Sequence, residues 1–103
     1  MNIGKAIKQV RIHFELSQIE LSERTGLSQT SISQIESGAK NPGKSSIHKI
    51  CKAFDIPESI LYVLGMDDTD FPESRKKAFQ DLYPAMRDFA IQVIGKHKSS
   101  ILR

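Results

Sequence analysis

The sequence predicts an all-α fold, with five helices in a first domain and a C-terminal helical extension. Apolar residues recur at intervals of three and four, as on one face of an α-helix. Serine and glycine stand where such helices would begin and end, and the sequence has no strand-like alternation. These patterns divide the 103 residues into a domain over 1–66 and an acidic connector with a helical extension over 67–103.

The first two helices follow from spacing and capping. The apolar face of the first helix consists of Ile3, Ile7, Val10 and Phe14. A capping box then begins a second helix at about Gln18. In it, the Ser17 hydroxyl accepts from the Glu20 amide and the Glu20 side chain reaches back. Gly26 ends this helix, because glycine tolerates a left-handed cap.

A tight turn leads into the third helix. Only Leu27 separates Gly26 from Ser28, which is the predicted cap. The third helix runs from about Gln29 to Ser37 and is closed by Gly38. Two short helices joined this closely form a helix-turn-helix.

Turn residues and prolines predict the fourth and fifth helices. An Asn-Pro-Gly turn precedes Ser45 or Ser46, either of which would cap the fourth helix. Its inward face consists of Ile47, Ile50, Cys51 and Phe54. Pro57 opens a fifth helix over Glu58–Leu64, which Gly65 halts.

The extension carries a heptad-like apolar stripe. Its members are Phe79, Leu82, Met86, Phe89 and Val93. Pro84 lies within this segment and must kink the helix or begin a new one, because proline removes a backbone hydrogen bond.

Composition excludes several classes of protein. The chain is too short for a (β/α)₈ barrel, which needs about 250 residues. Its longest apolar run, Ile60–Leu64, is far below the roughly 20 residues of a membrane span, and its first residues do not resemble a signal peptide. A single cysteine, Cys51, cannot close an intramolecular disulfide, so a reducing cytoplasm is the expected location. The net charge of +3 allows a polyanionic partner without requiring one.

The third helix carries an unusual polar face. Ile32 and Ile35 define its buried side, and the opposite side carries short hydroxyl and amide side chains without a charge. Solvent-facing helices favour Glu, Lys and Arg instead. Gln, Ser and Thr suit the base edges of a DNA major groove. The alternative is a polar face with no binding role.

The sequence gives little evidence for a catalytic or metal site. His48 and Cys51 stand three residues apart, but Cys51 falls on the apolar face and is predicted to be a core residue. A structural zinc site needs four ligands. His13 and His97 are isolated and are predicted to lie on the surface. No enzyme activity, metal or cofactor is therefore expected.

The stretch 3–64 resembles the phage repressor/Cro-like (Xre-family) helix-turn-helix domain. The matching segments are Ser17–Ser22, Thr25–Gly38, Asn41–Pro42 and Phe54–Ile56. The resemblance implies a five-helix lambda-repressor-like domain in a sequence-specific regulator that binds double-stranded DNA. Ser22 departs from the alanine usual in the family, and the loop over 39–44 is only lightly basic.

The resemblance also implies site residues. Those at base-reading positions are Gln29, Thr30 and Gln34, with Ser28 and Ser33 as neighbours. Those implied at DNA phosphates are Gln18 and the segment Ser37–Asn41. Lys40 and Lys44 would add salt-dependent attraction, and free amides at helix N-termini can hold phosphates. Arg11 and Glu36 match an ion pair that joins the first helix to the end of the third.

The last helices suggest a protein partner. The fifth helix is apolar on nearly every side, whereas a surface helix needs one apolar stripe. The candidate interface residues are Tyr62, Val63, Met66, Phe79, Leu82, Met86, Phe89 and Val93. The stripe in the extension packs either on its own domain or on a partner chain.

Two functions remain open. In the first, a homodimeric regulator that acts as a repressor binds a near-palindromic operator, with its recognition helices about 34–36 Å apart. In the second, an antitoxin-type module binds a partner protein through residues 67–103, and its DNA binding is autoregulatory.

Overall fold

The computed structural model describes residues 1–95, which form six α-helices and one short 3₁₀ turn. The helices are α1 (Ile3–His13), α2 (Gln18–Thr25), α3 (Gln29–Ser37), α4 (Lys44–Phe54), α5 (Glu58–Gly65) and α6 (Glu73–Ile94), with the 3₁₀ turn at Asp68–Asp70. No strand occurs in this range, so the all-α prediction is confirmed. Within the same residues, no helix has both the length and the apolar character needed to cross a membrane.

The predicted capping residues begin and end α2 and α3. The Ser17 hydroxyl accepts from the Glu20 amide at 3.0 Å, and the Glu20 carboxylate accepts from the Ser17 amide at 3.0 Å. Ser28 caps α3 by accepting from the Ser31 amide at 3.0 Å. Gly26 follows α2 with φ of 77°, a left-handed conformation that glycine adopts without steric cost. Local sequence signals therefore determine the ends of the helix-turn-helix.

The predicted start of the fourth helix is wrong. Its N-cap is Gly43, and α4 begins at Lys44, so Ser45 and Ser46 both lie inside the first turn. No side chain caps this end. The Pro-Gly turn leads the backbone directly into helical geometry, and glycine is itself an acceptable N-cap. Helix α5 also runs one residue further than predicted and includes Gly65, whose carbonyl accepts from the Asn2 amide at 2.7 Å.

The core lies among α1 to α5. Phe14 and Phe54 stack at its centre with their rings 5.8 Å apart, and both are almost fully buried. Cys51 lies in this core as predicted, and burial raises the pKa of its thiol to about 11. The buried aliphatic residues around these rings hold α3 with Ile32 and Ile35 inward. Its opposite side consequently faces solvent.

Helix α6 packs against α5, but through a different set of residues from the predicted stripe. The Tyr83 hydroxyl lies 3.0 Å from the Val63 carbonyl oxygen and 3.1 Å from that of Leu64. Further along the helix, Ala90 and Ile94 are buried. The helix continues through Pro84, so the predicted alternative of a new helix beginning there is wrong. Because Pro84 lies on the exposed side, water can satisfy the carbonyl that loses its helical partner.

The prediction that His13 is a surface residue is also wrong. Its ring is half-buried and meets Phe14 edge-on, with the ring centroids 5.3 Å apart. Its Nε2 is hydrogen-bonded to the Gly95 carbonyl oxygen, which joins the end of α1 to the end of α6. His13 and Gly95 are 82 residues apart in the sequence, so no local pattern predicts this contact. His97, the other predicted surface histidine, lies outside the described residues.

We expect Tyr83→Phe to loosen the contact between α5 and α6. The change removes a hydroxyl from two carbonyl oxygens without changing the ring. Loss of this interaction should lower the free energy of unfolding by about 1 kcal/mol, measured by urea denaturation. Tyr62→Phe is the matched control, because Tyr62 is an exposed tyrosine on α5. Equal effects of the two substitutions would contradict this assignment.

Candidate nucleic-acid interface

The exposed side of α3 is the first part of the candidate site. Ile32 and Ile35 are each only 1% exposed and anchor the helix to the core. The exposed side chains along its other side are Gln29, Thr30, Ser33, Gln34 and Ser37. Ser28, at the helix start, is exposed as well, although its hydroxyl already accepts from the Ser31 amide. The five predicted base-reading residues thus share the exposed surface of one helix and its cap.

Side chains of α2 satisfy the backbone of the turn before α3. The Ser22 hydroxyl donates to the Leu27 carbonyl oxygen at 2.6 Å. The Thr25 hydroxyl accepts from the Leu27 amide at 3.2 Å and donates to the Leu21 carbonyl oxygen at 2.8 Å. Both polar groups of the turn residue are therefore paired, which stabilises the angle between α2 and α3. This role of Ser22 was not predicted from the sequence. The one sequence feature that pointed to it is a hydroxyl at a position where the related domains usually carry alanine.

A charged network joins α1, α2 and α3. Arg11 Nε lies 2.7 Å from Glu36 Oε2, and Arg11 Nη2 lies 2.9 Å from Glu36 Oε1. Arg11 Nη1 also donates to the Leu16 carbonyl oxygen at 2.8 Å. The two side chains are 12% and 3% exposed. Hydrogen bonding to the Glu36 carboxylate raises the pKa of Arg11, which favours the charged guanidinium in this nearly buried pair.

Gln18, predicted to contact phosphate, is tied into the same network. Its Nε2 donates to Glu36 Oε1 at 3.1 Å. One amide hydrogen is used by this bond, so the second hydrogen and the carbonyl oxygen remain for other partners. The half-buried side chain lies at the first position of α2, where backbone amides are free of helical partners. The network therefore fixes the position of Gln18 relative to α3.

The other predicted phosphate contacts surround the C-terminal end of α3. Ser37, Lys40, Asn41 and Lys44 are all exposed. The Lys40 ammonium lies 3.5 Å from the Ser31 hydroxyl, which places this cation beside α3. The Ser37 hydroxyl donates to the Gln34 carbonyl oxygen at 3.1 Å and accepts from the Ala39 amide at 3.3 Å. Lys44 is the first residue of α4 and so lies at another helix N-terminus.

The candidate metal ligands do not come together. Nδ1 of His48 lies 3.8 Å from the Glu58 carboxylate on the protein surface, whereas Cys51 is in the core. Among residues 1–95, no three His, Cys, Asp or Glu side chains form a group that could hold a metal ion.

The structure divides the predicted interface residues into two groups. Tyr62, Leu82, Met86, Phe89 and Val93 are exposed. Val63, Met66 and Phe79 are half-buried. The Phe79 ring lies between those of Phe71 and Tyr83, at 4.7 and 4.9 Å between centroids. The second group thus contributes to packing within this chain, and the first group faces outward.

The arrangement defines a class of protein. A helix-turn-helix whose second helix is anchored in the core and presents an uncharged side to solvent is the architecture of helix-turn-helix DNA-binding proteins. Residues 7–61, just over half of the chain, match the family model described as "Helix-turn-helix". The chain belongs to the Xre/Cro-like helix-turn-helix family of DNA-binding transcription regulators, as its sequence resemblance predicts.

Several curated proteins are similar to this chain. It is 31% identical over 97 residues to an HTH-type transcriptional regulatory protein of Methanococcus vannielii, covering 88% of this chain and 28% of the relative. It is 34% identical over 65 residues to the antitoxin PezA of Streptococcus pneumoniae, covering 63% and 40%. It is 31% identical over 61 residues to the immunity repressor protein of Bacillus phage phi105, covering 59% and 42%. The chain spans less than half the length of each of these three relatives.

Proposed function

We propose that this protein is a sequence-specific transcriptional repressor that binds double-stranded DNA as a homodimer on a near-palindromic operator. The observation that carries the proposal is the exposed, uncharged side of α3, held rigidly by the core and by the paired turn. Residues 1–66 would form the DNA-binding domain, and residues 67–103 would provide the contact with a partner. Similarity to a phage immunity repressor supports repression, rather than activation, of transcription.

In the proposed complex, α3 lies in the major groove. Gln29 and Gln34 can each donate to and accept from an adenine, and the Thr30 methyl group can pack on that of thymine. Ser28 and Ser33 lie beside them and can contact base edges or phosphate. Because none of these five side chains is charged, they contribute discrimination between bases rather than general attraction to DNA.

Phosphate binding would come from the edges of the same surface. The amides at the starts of α2, α3 and α4 are suited to anions, because helix N-termini carry a partial positive charge. Gln18, Ser37 and Asn41 would add neutral hydrogen bonds. Lys40 and Lys44 would supply salt-dependent attraction, each contributing about 0.9 to the slope of log affinity against log salt concentration.

The experiment that tests this function is selection of bound sites from a random pool of double-stranded DNA. The expected product is a near-palindrome whose half-sites are about 10–10.5 base pairs apart from centre to centre, or a multiple of that spacing. Recovery of no enriched sequence would contradict specific recognition. An enriched site without two-fold symmetry would contradict binding as a symmetric dimer.

Gln34→Ala is expected to reduce discrimination between the selected site and a site altered at one base pair. The expected loss is about 1–3 kcal/mol at the contacted position, because a two-pronged hydrogen bond to the base disappears. Fluorescence anisotropy titrations with both DNAs would measure it.

Lys44→Ala is compared with Gln34→Ala to distinguish a phosphate contact from a base contact. This variant should weaken binding similarly on all sequences and lower the salt slope by about 0.9, since it removes a phosphate contact. If Gln34→Ala also weakened every sequence equally, the assignment of base reading to Gln34 would be wrong.

Similarity to antitoxin PezA favours a second candidate, an antitoxin-type module. In that case the extension over 67–103 would bind a partner protein, and DNA binding would regulate the module's own expression. The exposed apolar residues of α6 are compatible with such a contact. A defined complex with a polypeptide encoded beside this protein, lost on deletion of residues 67–103, would favour this function.

A further inference from the structure

Helix α6 carries four large apolar side chains that no other residue within 1–95 covers. These residues, here called the α6 stripe, are Leu82, Met86, Phe89 and Val93, with exposures of 64%, 38%, 63% and 46%. The side of α6 that packs on its own domain is formed by other residues, including Tyr83, Ala90 and Ile94. At 3.6 residues per turn, the two sides lie about a quarter of a turn apart. The helix therefore has one apolar side that is packed and a second that is open.

The α6 stripe is more than scattered surface hydrophobicity. A helix on the surface of a globular protein needs a single apolar stripe to attach it to the core. Isolated exposed apolar residues are common, but a contiguous group usually marks an interaction site. Successive stripe residues are four, three and four positions apart, which is the spacing at which helices pack along a seam.

We propose that the α6 stripe binds the α6 stripe of a second copy of this chain, with the two helices antiparallel. The sequence of intervals, four, three and four, is identical when read in reverse. A two-fold axis between positions 87 and 88 therefore brings Leu82 opposite Val93 of the partner subunit. The same axis brings Met86 opposite Phe89 of the partner subunit. All four side chains are then buried in paired layers, as an isologous contact requires.

The borders of the α6 stripe carry no charge that would repel a second copy of the same helix. Identical chains bring identical charges together, so a charged border would oppose self-association. One border of the stripe is the chain's own domain, and the other consists of Ala78, Ala85 and Gln92. Between residues 78 and 93, the charged side chains are Asp81, Arg87 and Asp88. Each lies more than about a quarter turn around the helix from the centre of the α6 stripe. Nothing on these borders repels an identical helix.

This inference rests on the proposed function for its biological role. A two-fold contact through α6 would relate two α3 helices by the symmetry that a near-palindromic operator requires. It also assigns the contact to α6 rather than to Tyr62 on α5, which is less exposed than Leu82, Phe89 and Val93.

Sedimentation equilibrium of the full chain without DNA tests the proposal. The wild-type protein is expected to be a dimer. Phe89→Glu should weaken dimerisation by at least about a hundredfold, because two of the four paired layers would then bury a carboxylate. Since Phe89 is largely exposed in the single chain, this variant should retain its helical circular dichroism. Leu82→Glu provides a second variant at a site of equal exposure.

Ile12→Glu is the matched control, because Ile12 is 56% exposed on α1 and lies outside the α6 stripe. It should remain dimeric. A wild-type protein that is still monomeric at 100 μM, roughly the dissociation constant of a weak dimer, would overturn the proposal. A dimer that survives Phe89→Glu would overturn it as well. Dissociation by Tyr62→Glu with no effect of Phe89→Glu would assign the interface to α5 instead. Association only with a different protein would equally overturn it.

Cysteine pairing tests the orientation. A chain with Leu82→Cys and a second chain with Val93→Cys are oxidised separately and after mixing. Antiparallel helices should give a disulfide only in the mixture, because only there do the two new cysteines face each other. Efficient cross-linking of either variant alone would indicate a parallel pair. The native Cys51 is buried and its raised pKa disfavours the reactive thiolate, so it should not interfere.

Failure of this inference can be distinguished from failure of the proposed function. The sedimentation and disulfide measurements contain no DNA. If they fail while site selection recovers a defined sequence, the interface is wrong and the DNA-binding function stands. If the dimer forms as expected and no sequence is enriched, the interface stands and the proposed function is wrong.

Discussion

Gly4→Ala is expected to lower the free energy of unfolding by about 3 kcal/mol, at the upper end of ordinary overpacking effects. A Cβ atom at Gly4 would lie 2.0 Å from the Ile35 carbonyl oxygen and 3.1 Å from its carbonyl carbon. Both are backbone atoms of α3, so no side chain can rotate away to make room. The two helices would have to separate, and the core residues between them would lose contacts.

Urea denaturation measures this effect, and the sign of the change in unfolding free energy distinguishes a steric clash from a change in helix propensity. Alanine has a higher helix propensity than glycine by about 1 kcal/mol, so without the clash the substitution would stabilise α1. Gly43→Ala is the control, since a Cβ there meets nothing within 4 Å and φ is −79°. It should cost no more than about 1 kcal/mol, because alanine is a poorer N-cap than glycine but meets no clash here. If Gly4→Ala were as stable as the wild type, the close approach of α1 and α3 would be wrong.

Glu36→Ala is expected to be comparably severe, with a loss of about 3–5 kcal/mol. The substitution leaves the Arg11 guanidinium nearly buried without its carboxylate, and it removes the acceptor of the Gln18 amide. The dominant cost is the desolvated charge that remains, not the loss of attraction itself. Thermal and urea unfolding at neutral pH would both report the change.

Two comparisons separate this explanation from a general effect of losing a carboxylate. Glu73→Ala breaks the ion pair with Lys76, but Glu73 is 90% exposed, so the loss should be below about 1 kcal/mol. Replacing both partners, with Arg11→Met and Glu36→Leu together, should recover much of the stability because no charge is left buried. Unchanged melting of Glu36→Ala would refute the structural role of the pair.

Predictions from the sequence succeeded where the deciding interactions are local. The Ser17–Glu20 capping box, the glycine after α2 and the spacing of Ile32 and Ile35 all involve residues within one helical turn or two. Such patterns are readable because an α-helix repeats every 3.6 residues and its ends leave unpaired amides and carbonyls. The composition of the exposed side of α3 follows directly once its buried side is known.

Predictions failed or stayed open where the deciding contact falls outside the regular spacing of a helix. The contact of His13 with the end of α6 and the bond from Ser22 to the turn depend on how helices are placed. The start of α4 at Lys44 shows that a turn can replace the side-chain cap that serine would supply. For His13 and Ser22 the partner is a backbone carbonyl whose position no sequence interval specifies.

The sequence by itself therefore determined which segments of residues 1–66 are helical, the apolar sides of α1, α3 and α4, and the family to which the chain belongs. Only the tertiary structure decided how α6 is rotated. Apolar residues cover a wide sector of this helix, so their periodicity is compatible with several orientations. Packing on α5 selects the orientation in which Tyr83 reaches two carbonyl oxygens, and this leaves Leu82, Met86, Phe89 and Val93 facing outward.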